Sequence, residues 1–318
     1  MDFVATWSEQ TGLPAERFIG GLGIRRGKFC DWRNRYGKVN EHNARVPRDF
    51  WLMDDERKAI LDYHERHPLD GYRRLTYMMI DEDLVAASPA SVYRVLHEAG
   101  RLDRWRKKES RKGKGFEQPL QPHERWHTDI SSINVHGTFF YLCTLLDGCS
   151  RYIVGWDLRE SMTERDVEIV IERTREEYPE ANPRIISDNG PQFIAGDFRE
   201  YIRLTGMTHV RISRNYPQAN GKIERWHKTL KQDAIRVRPP GSAEEGHRLI
   251  DGFVHHYNFH RLHSAIGYVT PADRLAGRHE AIWAERDRRL EAARERRRLL
   301  RQLARQASGP TISTEVTC

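Results

Sequence analysis

The spacing of apolar residues changes twice along the chain, from helical to strand-like and back to helical. Residues 10–37 place Leu and Phe side chains at helical spacing on either side of a turn signal at Gly23. This pattern predicts a helix-turn-helix-like unit within residues 1–45 whose basic second helix could enter a DNA major groove. A helical hairpin with a solvated basic face is the alternative. The candidate DNA contacts are Arg25, Arg26, Lys28 and Arg33.

A second helical unit is predicted over residues 46–100. Ser88 and Pro89 provide an N-cap and a first helical position, and Gly100 stops the same run. Arg73 and Arg74 are expected to be exposed at the start of the preceding helix. They either contact DNA phosphates or keep the surface soluble.

A basic segment, residues 101–121, separates these helices from the rest of the chain. Its first part, RLDRWRKKESRKGKG, has eight Lys or Arg residues against two acids and few apolar side chains. Such a composition cannot bury a core. We interpret the segment as a linker, which either follows a phosphate backbone or acts as a solvated tether.

Strand-like patterns begin after Pro122 and define the predicted core, residues 122–277. Three runs rich in β-branched and aromatic residues, 126–135, 138–146 and 151–158, are separated by His-Gly and Asp-Gly turn signals. They predict an antiparallel meander. Helical and extended stretches then alternate up to residue 234, so the fold class is α/β with a mixed sheet.

The last segment, residues 278–318, is helical and basic. Nine arginines stand among short apolar repeats between Ala281 and Arg305, and the tail after Ala307 is expected to be unstructured. The helix suits DNA or a coiled-coil partner, and a solvated amphipathic helix is the alternative.

Composition narrows the class of protein. The 318 residues carry a formal charge of +7, which favours an acidic partner such as nucleic acid. The N-terminus lacks the pattern of a secretory signal, and no apolar run approaches the roughly 20 residues that span a bilayer. The four cysteines show no CxxC spacing. We therefore expect a cytoplasmic protein without a membrane partner, associated with the nucleoid when it is bound to DNA.

Three acids occupy positions suited to catalysis. Asp129 lies in the first core strand, Asp188 directly follows a short apolar strand, and Glu224 lies on a helix that begins near Asn220. Exchange of a phosphodiester requires neutralisation of charge on attacking and leaving oxygens, which two divalent ions provide together. Carboxylates are the ligands that Mg²⁺ prefers. Our hypothesis gives Asp129 and Asp188 one shared metal site and lets Glu224 complete a second.

The predicted helix of Glu224 adds cations to the same face. Lys228 and Lys231 follow Glu224 at i+4 and i+7, so both could hold DNA phosphates beside a metal ligand. An ordinary Glu–Lys helix pair is the alternative. Asn189, next to Asp188, is a candidate for orienting the neighbouring DNA backbone.

The sequence motifs around these residues resemble those of the bacterial insertion-sequence transposases of the retroviral-integrase superfamily, close to the insertion-sequence-three family. The motifs are WHTDI, DGCSRYIVGWDL, SDNGPQF and NYPQANGKIERWHKTLK, followed by YNFHRLHSAIGYVTPAD. Positions 189 to 223 place 35 residues between the second and third acids, as in the D,D(35)E pattern. Upstream, HPLDGYRRL and SPASVYRVLHEAG are similar to that family's helical DNA-binding region. The likeness covers about residues 50 to 275.

The resemblance implies a ribonuclease-H-like core, a requirement for Mg²⁺ or Mn²⁺, and oligomeric complexes on transposon ends. The expected activity is cleavage at terminal inverted repeats followed by attack of the freed 3′-hydroxyl on target DNA. No covalent enzyme intermediate is required, and the chain has no GxxxxGK[ST] phosphate loop.

Two features depart from a metal-module pattern. His123 and His127 have ligand-like spacing but no cysteine partners, so surface or packing roles are preferred. The histidines between His255 and His263 lack an acid or thiol ligand pattern, which argues against structural zinc. Asp147 is best interpreted as part of a hairpin turn.

Two other functions remain open. A nuclease of the same fold could cut RNA–DNA hybrids or branched junctions, although such an enzyme needs no helical sequence-reading unit. A catalytically silent DNA-binding regulator could retain the fold, although all three acids and both helix lysines are present.

Overall fold

A computed structural model of the protein describes residues 2–36, 48, 51–102, 118–212 and 220–307. The chain divides into two compact units, Met1–Trp51 and Leu52–Cys318. The second unit therefore contains the second helical region, the sheet and the C-terminal helix together. The finer division into five domains stays a prediction.

Over residues 2–36, the first unit forms three helices around a small apolar centre. Val4, Ile19 and Phe29 contribute one buried side chain from each helix. Gly23 adopts a positive φ of 66° and turns the chain between the second and third helices, as the pattern predicted. The helices are α1 (Asp2–Thr11), α2 (Ala15–Gly21) and α3 (Arg26–Arg35).

The second unit begins with three further helices packed around Tyr63, Leu75 and Leu96. The predicted cap is present, because the Ser88 side chain accepts a hydrogen bond from the Ser91 backbone N–H. These helices are α4 (Asp54–Arg66), α5 (Tyr72–Asp81) and α6 (Pro89–Glu98).

A five-stranded mixed sheet forms the centre of the second unit, with strand order β3-β2-β1-β4-β5. The first three strands pair antiparallel, which confirms the predicted meander. β4 runs parallel to β1, and β5 runs parallel to β4. The strands are β1 (Arg125–Val135), β2 (Thr138–Asp147), β3 (Ile153–Arg159), β4 (Arg184–Ser187) and β5 (Thr208–Arg211).

The first hairpin follows directly from its two-residue turn. His136 and Gly137 both have positive φ, 47° and 89°, as a type I′ connection requires. The turn fixes the register, with Val135 opposite Thr138 and Asp129 opposite Thr144.

Helices cover both faces of the sheet. On one face, Trp226 of α10 and Tyr257 of α11 pack against Leu142 and its neighbours on the strands. On the other, Val167 of α7 and Phe198 of α9 pack with Trp126 and other side chains. These helices are α7 (Glu164–Glu177), α8 (Pro191–Ile194), α9 (Gly196–Leu204), α10 (Gly221–Leu230) and α11 (Ala243–Phe259).

Two more helices end the described chain, α12 (Pro271–Leu275) and α13 (His279–Ala307). α13 does not lie free in solvent, because two of its arginines are buried against the α4–α6 region. Arg286 binds Asp81 through two hydrogen bonds of 2.7 and 2.6 Å. Arg297 binds Glu56 at 3.0 and 2.8 Å. The basic helix that the sequence predicts is present. Two of its arginines form ion pairs that hold it against the α4–α6 region.

None of the helices in the described ranges combines the length and the apolar character needed to cross a membrane.

Candidate active site

Asp129 lies in β1, and Asp188 directly follows β4, the parallel neighbour of β1. β1 and β4 pair over three residues, ending with His127 opposite Ile186. Each aspartate follows two residues after that last pair, and adjacent strands in a sheet lie about 4.8 Å apart. The parallel pairing therefore brings the first two acids of the predicted triad to the same end of the sheet.

Asp129 is held from two directions. Its Oδ1 accepts a hydrogen bond of 2.9 Å from the Ile130 backbone N–H. Its Oδ2 lies 3.3 Å from Nδ1 of His227, a residue of α10 that is 5% exposed. The other ring nitrogen of His227 lies 3.2 Å from Oγ1 of Thr144 on β2. His227 thus fixes the carboxylate of Asp129 relative to both the sheet and α10.

Glu224 lies on the same helix, one turn before His227. The start of α10 is tied to β1 because the side chain of Asn220 donates a 3.3 Å hydrogen bond to the carbonyl of Thr128. Residues at i and i+3 share a helix face, so Glu224 lies on the side that His227 presents to Asp129. Glu224 itself is exposed.

The two lysines of α10 differ in their surroundings. Lys228 is exposed, whereas Lys231 is half-buried and begins a π-helical turn, Lys231–Ile235. Burial lowers the pKa of Lys231, and the negative charge of Asp129 opposes that shift. The ammonium group of Lys231 therefore lies within electrostatic range of the first acid, on the predicted face. π-helical turns occur often at functional sites.

Asp188 is the first residue of the loop between β4 and α8. Its Oδ1 accepts a 2.9 Å hydrogen bond from the Gly190 backbone N–H, and the side chain is exposed. The amide of Asn189 donates to the carbonyl of Ile212 at 2.7 Å. Asn189 therefore joins the end of β4 to the chain after β5, and its predicted contact with DNA stays a prediction.

The donor chemistry of the three carboxylates suits a hard divalent cation. Their spacing does not form a closed cage: within the described ranges, no three His, Cys, Asp or Glu side chains are placed to hold one metal ion. Residues 213–219, which join β5 to α10, lie outside those ranges. The assignment of Asp129, Asp188 and Glu224 as metal ligands stays a prediction.

The candidate DNA contacts of α3 lie on the surface of the first unit, where Arg25 and Arg33 are exposed. Arg26 lies 3.5 Å from Glu16, and Lys28 lies over the ring of Trp32 at 5.1 Å. The surface position is compatible with DNA binding and leaves that role a prediction.

Arg73 is exposed as expected, whereas Arg74 is not. Arg73 donates to the hydroxyl of Tyr72 at 3.1 Å on the surface. Arg74 is half-buried, pairs with Asp70 at 2.5 Å and donates to the carbonyl of Leu262 at 3.1 Å. It therefore connects α5 to the segment after α11.

The residues set aside as structural do pack as expected. His123 accepts a 3.2 Å hydrogen bond from Nε1 of Trp126 and lies 4.6 Å from the ring of Tyr178. His127 is fully buried, and burial followed by the charges of Lys222 and nearby arginines lowers its pKa to about 3. Asp147 accepts hydrogen bonds from the backbone and hydroxyl of Ser150, which confirms its part in the turn.

The sequence interpretation missed the supports of this site. His227 and Asn220 contact β1 directly, and only their positions in the helix of Glu224 could have indicated them. Asn258 of α11 was also missed: its amide accepts from the N–H of Ile153 and donates to the carbonyl of the same residue. It replaces strand pairing beside the irregularity between Leu145 and Leu146.

Comparison with known proteins agrees with the predicted fold. Two models of the integrase core domain match, one over residues 119–217 and one over residues 205–271. The region that carries the mixed sheet and its helices is therefore similar to integrase core domains, and the α/β sheet agrees with the predicted fold class.

Curated relatives that match a larger part of the chain than the core domain are bacterial transposases. The transposase for insertion sequence element IS904 of Lactococcus lactis is 24% identical over 237 residues, covering 70% of this chain and 92% of the relative. The InsD transposase of an IS2 element of Escherichia coli is 26% identical over 242 residues, covering 70% and 80%. The integrase-core matches and these relatives together support a bacterial insertion-sequence transposase of the DDE and integrase superfamily.

Solved structures with low similarity include two retroviral ones. An intasome of simian T-cell lymphotropic virus matches 68% of this chain and 74% of its own, at 17% identity and a TM-score of 0.45. The integrase catalytic core of HTLV-2 in complex with magnesium matches 49% and 98%, at 16% identity and a TM-score of 0.40.

Proposed function

We propose that this transposase cuts DNA at transposon ends and joins the freed 3′-hydroxyl to target DNA, with Asp129, Asp188 and Glu224 as the reactive centre. The supporting observation is that Asp129 lies in β1 and Asp188 directly follows its parallel neighbour β4. The helix of Glu224 is linked to β1 by the hydrogen bond from Asn220. Carboxylates that converge at one end of an α/β sheet occupy the usual position of functional groups in such folds.

The three carboxylates would hold divalent metal, Mg²⁺ or Mn²⁺, as a pair of ions. When bound, such ions supply charge neutralisation at the attacking and leaving oxygens of an in-line displacement. One relative in fold was solved with magnesium, and the oxygen donors here are those that Mg²⁺ prefers. The pair of ions and the ligand roles belong to the proposal.

The surrounding side chains have separate tasks. His227 orients Asp129 through its 3.3 Å contact, as outer-shell partners of metal ligands commonly do. Lys228 and Lys231 attract the DNA backbone to the face of α10 that carries Glu224. The substrates are the terminal inverted repeats and target DNA, and the working form is a homo-oligomer on DNA.

A strand-transfer assay with Glu224→Gln tests the proposal. The substrate is labelled duplex DNA taken from the borders of the gene, with supercoiled plasmid as target and Mg²⁺ supplied. We expect E224Q to lose joining while its Kd for the border DNA stays close to that of the unaltered protein. Glu176→Gln, an exposed acid of α7 away from the site, is the matched control and should join normally.

Two results would contradict the proposal. Joining by E224Q at the rate of E176Q would remove Glu224 from the chemistry. Cleavage of RNA–DNA hybrids or branched junctions in preference to the border DNA, without joining, would favour the nuclease alternative.

A further inference from the structure

A strongly basic pocket lies beside α10, away from the residues that contact Asp129. It has a volume of about 590 Å³ and is open to solvent. Its lining comes from α5, the turn after β2, α10 and the segment after α11. The basic side chains of the lining are Arg74, Arg151, Lys222, Arg225, Arg261 and His263, and no Asp or Glu of the described residues lines the pocket.

Helical geometry separates this pocket from the catalytic face. Lys222, Arg225 and Thr229 follow one another at i, i+3 and i+7 and line the pocket. Neither Glu224 nor His227 belongs to the lining. One helix thus presents a carboxylate to one side and a row of basic and polar groups to the other.

Burial of the cations makes the pocket more than a solvated surface. Arg151 is largely buried, has a positive φ of 69°, and its Nε finds no hydrogen-bond partner among the described residues. The indole Nε1 of Trp226, which also lines the pocket and is 1% exposed, has no partner there either. Buried donors without acceptors are costly, and both of these donors belong to side chains that line the pocket.

The charges in the pocket also act on one another. Burial, and then the positive charges of Arg151, Arg261, Arg74 and Arg225, lower the pKa of His263 to about 4. His263 is therefore neutral near pH 7. It adds no positive charge to the repulsion between the arginines around it.

Existing carboxylates neutralise only part of this charge. Asp70 pairs with Arg74 at 2.5 Å, and Asp233 pairs with Arg261 at 2.9 Å. Asp147 lies near Arg151, but its oxygens already accept from the backbone of His123 and from Ser150. Arg225 is exposed and has no ion pair within the described part of the chain.

We propose that this pocket binds backbone phosphates of DNA and extends the DNA track beyond the catalytic face of α10. The inference rests on the proposed function for its choice of DNA. Phosphate oxygens are the acceptors that arginine forks and buried N–H donors fit best. An open pocket with cations from several elements suits a polymer of phosphates, since each neutralised phosphate releases counterions and adds affinity.

The test measures Kd for duplex DNA over a range of salt concentrations with Arg225→Gln. Loss of one phosphate contact should weaken binding roughly five- to ten-fold at 0.1 M salt and reduce the slope of log K against log salt by about 0.9. Arg225→Lys keeps the charge and should retain the slope. Arg165→Gln, an exposed arginine of α7 outside the pocket, is the control and should change neither value.

Ethylation interference then locates the contact. R225Q should lose sensitivity at phosphates different from those lost by Lys228→Gln, because Lys228 does not line the pocket. Equal affinities and slopes for R225Q and R165Q would overturn the proposal. So would competition by millimolar inorganic phosphate in the unaltered protein with no change of DNA slope in R225Q, which would identify a small-anion site.

This outcome can be told apart from failure of the proposed function. E224Q should keep the full salt slope, since it removes no phosphate contact. A protein that joins DNA normally but shows no effect of R225Q would leave the catalytic proposal intact and remove the pocket. A protein that binds DNA through the pocket but never joins it would do the reverse.

Discussion

Arginines serve opposite purposes in α13 and in the pocket beside α10. In α13, Arg286 and Arg297 are each 3% exposed, and each meets a carboxylate at hydrogen-bond distance. In the pocket, Arg151 and Arg225 line a cavity that contains no carboxylate. The first pair closes the fold, whereas the second leaves positive charge available to an external anion.

The contrast shows why net charge alone says little about binding. Both regions contribute to the same excess of basic residues in the sequence. The difference is in the partner. A guanidinium paired with a carboxylate has its charge neutralised within the protein, whereas a guanidinium without a carboxylate can bind an external anion. Predictions about stability and about DNA affinity should therefore separate the two regions.

The largest expected effect on stability is that of Arg297→Met. This change removes the closer of the two arginines that pair with buried Glu56 and leaves Arg296 at 3.3 Å, so the cost should be at most that of a broken buried ion pair, about 3–5 kcal/mol. The measurement is urea unfolding followed by circular dichroism. Arg298→Met, the exposed neighbour on the same helix, should unfold close to the unaltered protein.

A second variant sharpens that result. Adding Glu56→Gln to R297M removes the buried charge that has lost its closer partner, and it keeps an acceptor for the N–H of Met53, which Glu56 now binds at 2.8 Å. The double variant should recover part of the lost free energy of unfolding. Equal stability of R297M and R298M would show that the ion pair does not hold α13 to the α4–α6 region.

The sheet and the spacing of the three acids could be predicted from the sequence more fully than the surfaces. Strands β1 to β3 were predictable because alternating apolar runs and an Asp-Gly or His-Gly turn depend on neighbours along the chain. The spacing of Asp188 and Glu224 likewise lies within the sequence itself. The features that could be predicted thus depend on neighbouring residues or on the order and spacing of motifs along the chain.

The contacts of α13 and the basic pocket could not be predicted in the same way. Arg297 and Glu56 are 241 positions apart, and nothing in either segment identifies the other. Arg74 was expected to be exposed, because its helix start shows only local polarity, yet it joins the segment after α11. Pairing over such separations depends on how helices pack.

Acidification offers a milder way to weaken the paired region. Burial raises the pKa of Glu56, but the hydrogen bonds from Arg297 and the Met53 backbone, with the charges of Arg297 and Arg296, outweigh it and lower the pKa below the usual 4.5. A depressed folded pKa stabilises the protein above the unfolded value. That stability is lost as pH falls through the folded pKa.

The measurement compares the free energy of unfolding of the unaltered protein with that of Glu56→Gln between pH 7 and pH 3. The difference should stay constant above about pH 5 and shrink below pH 4.5, by at most about 1.4 kcal/mol per pH unit for one proton. A difference that grows on acidification would mean that the pKa of Glu56 is raised in the folded protein.

The smallest expected change in stability is that of Arg225→Gln, and it completes the comparison. Because Arg225 is exposed and pairs with no carboxylate in the described residues, its loss should alter the free energy of unfolding by no more than about 0.5 kcal/mol. The same urea titration used for R297M measures it. A loss comparable to that of R297M would make Arg225 a structural residue, and the weaker DNA binding expected of R225Q would then reflect unfolding. If R225Q keeps its stability but binds DNA more weakly and with less dependence on salt, the arginines of α13 stabilise the fold and Arg225 binds DNA.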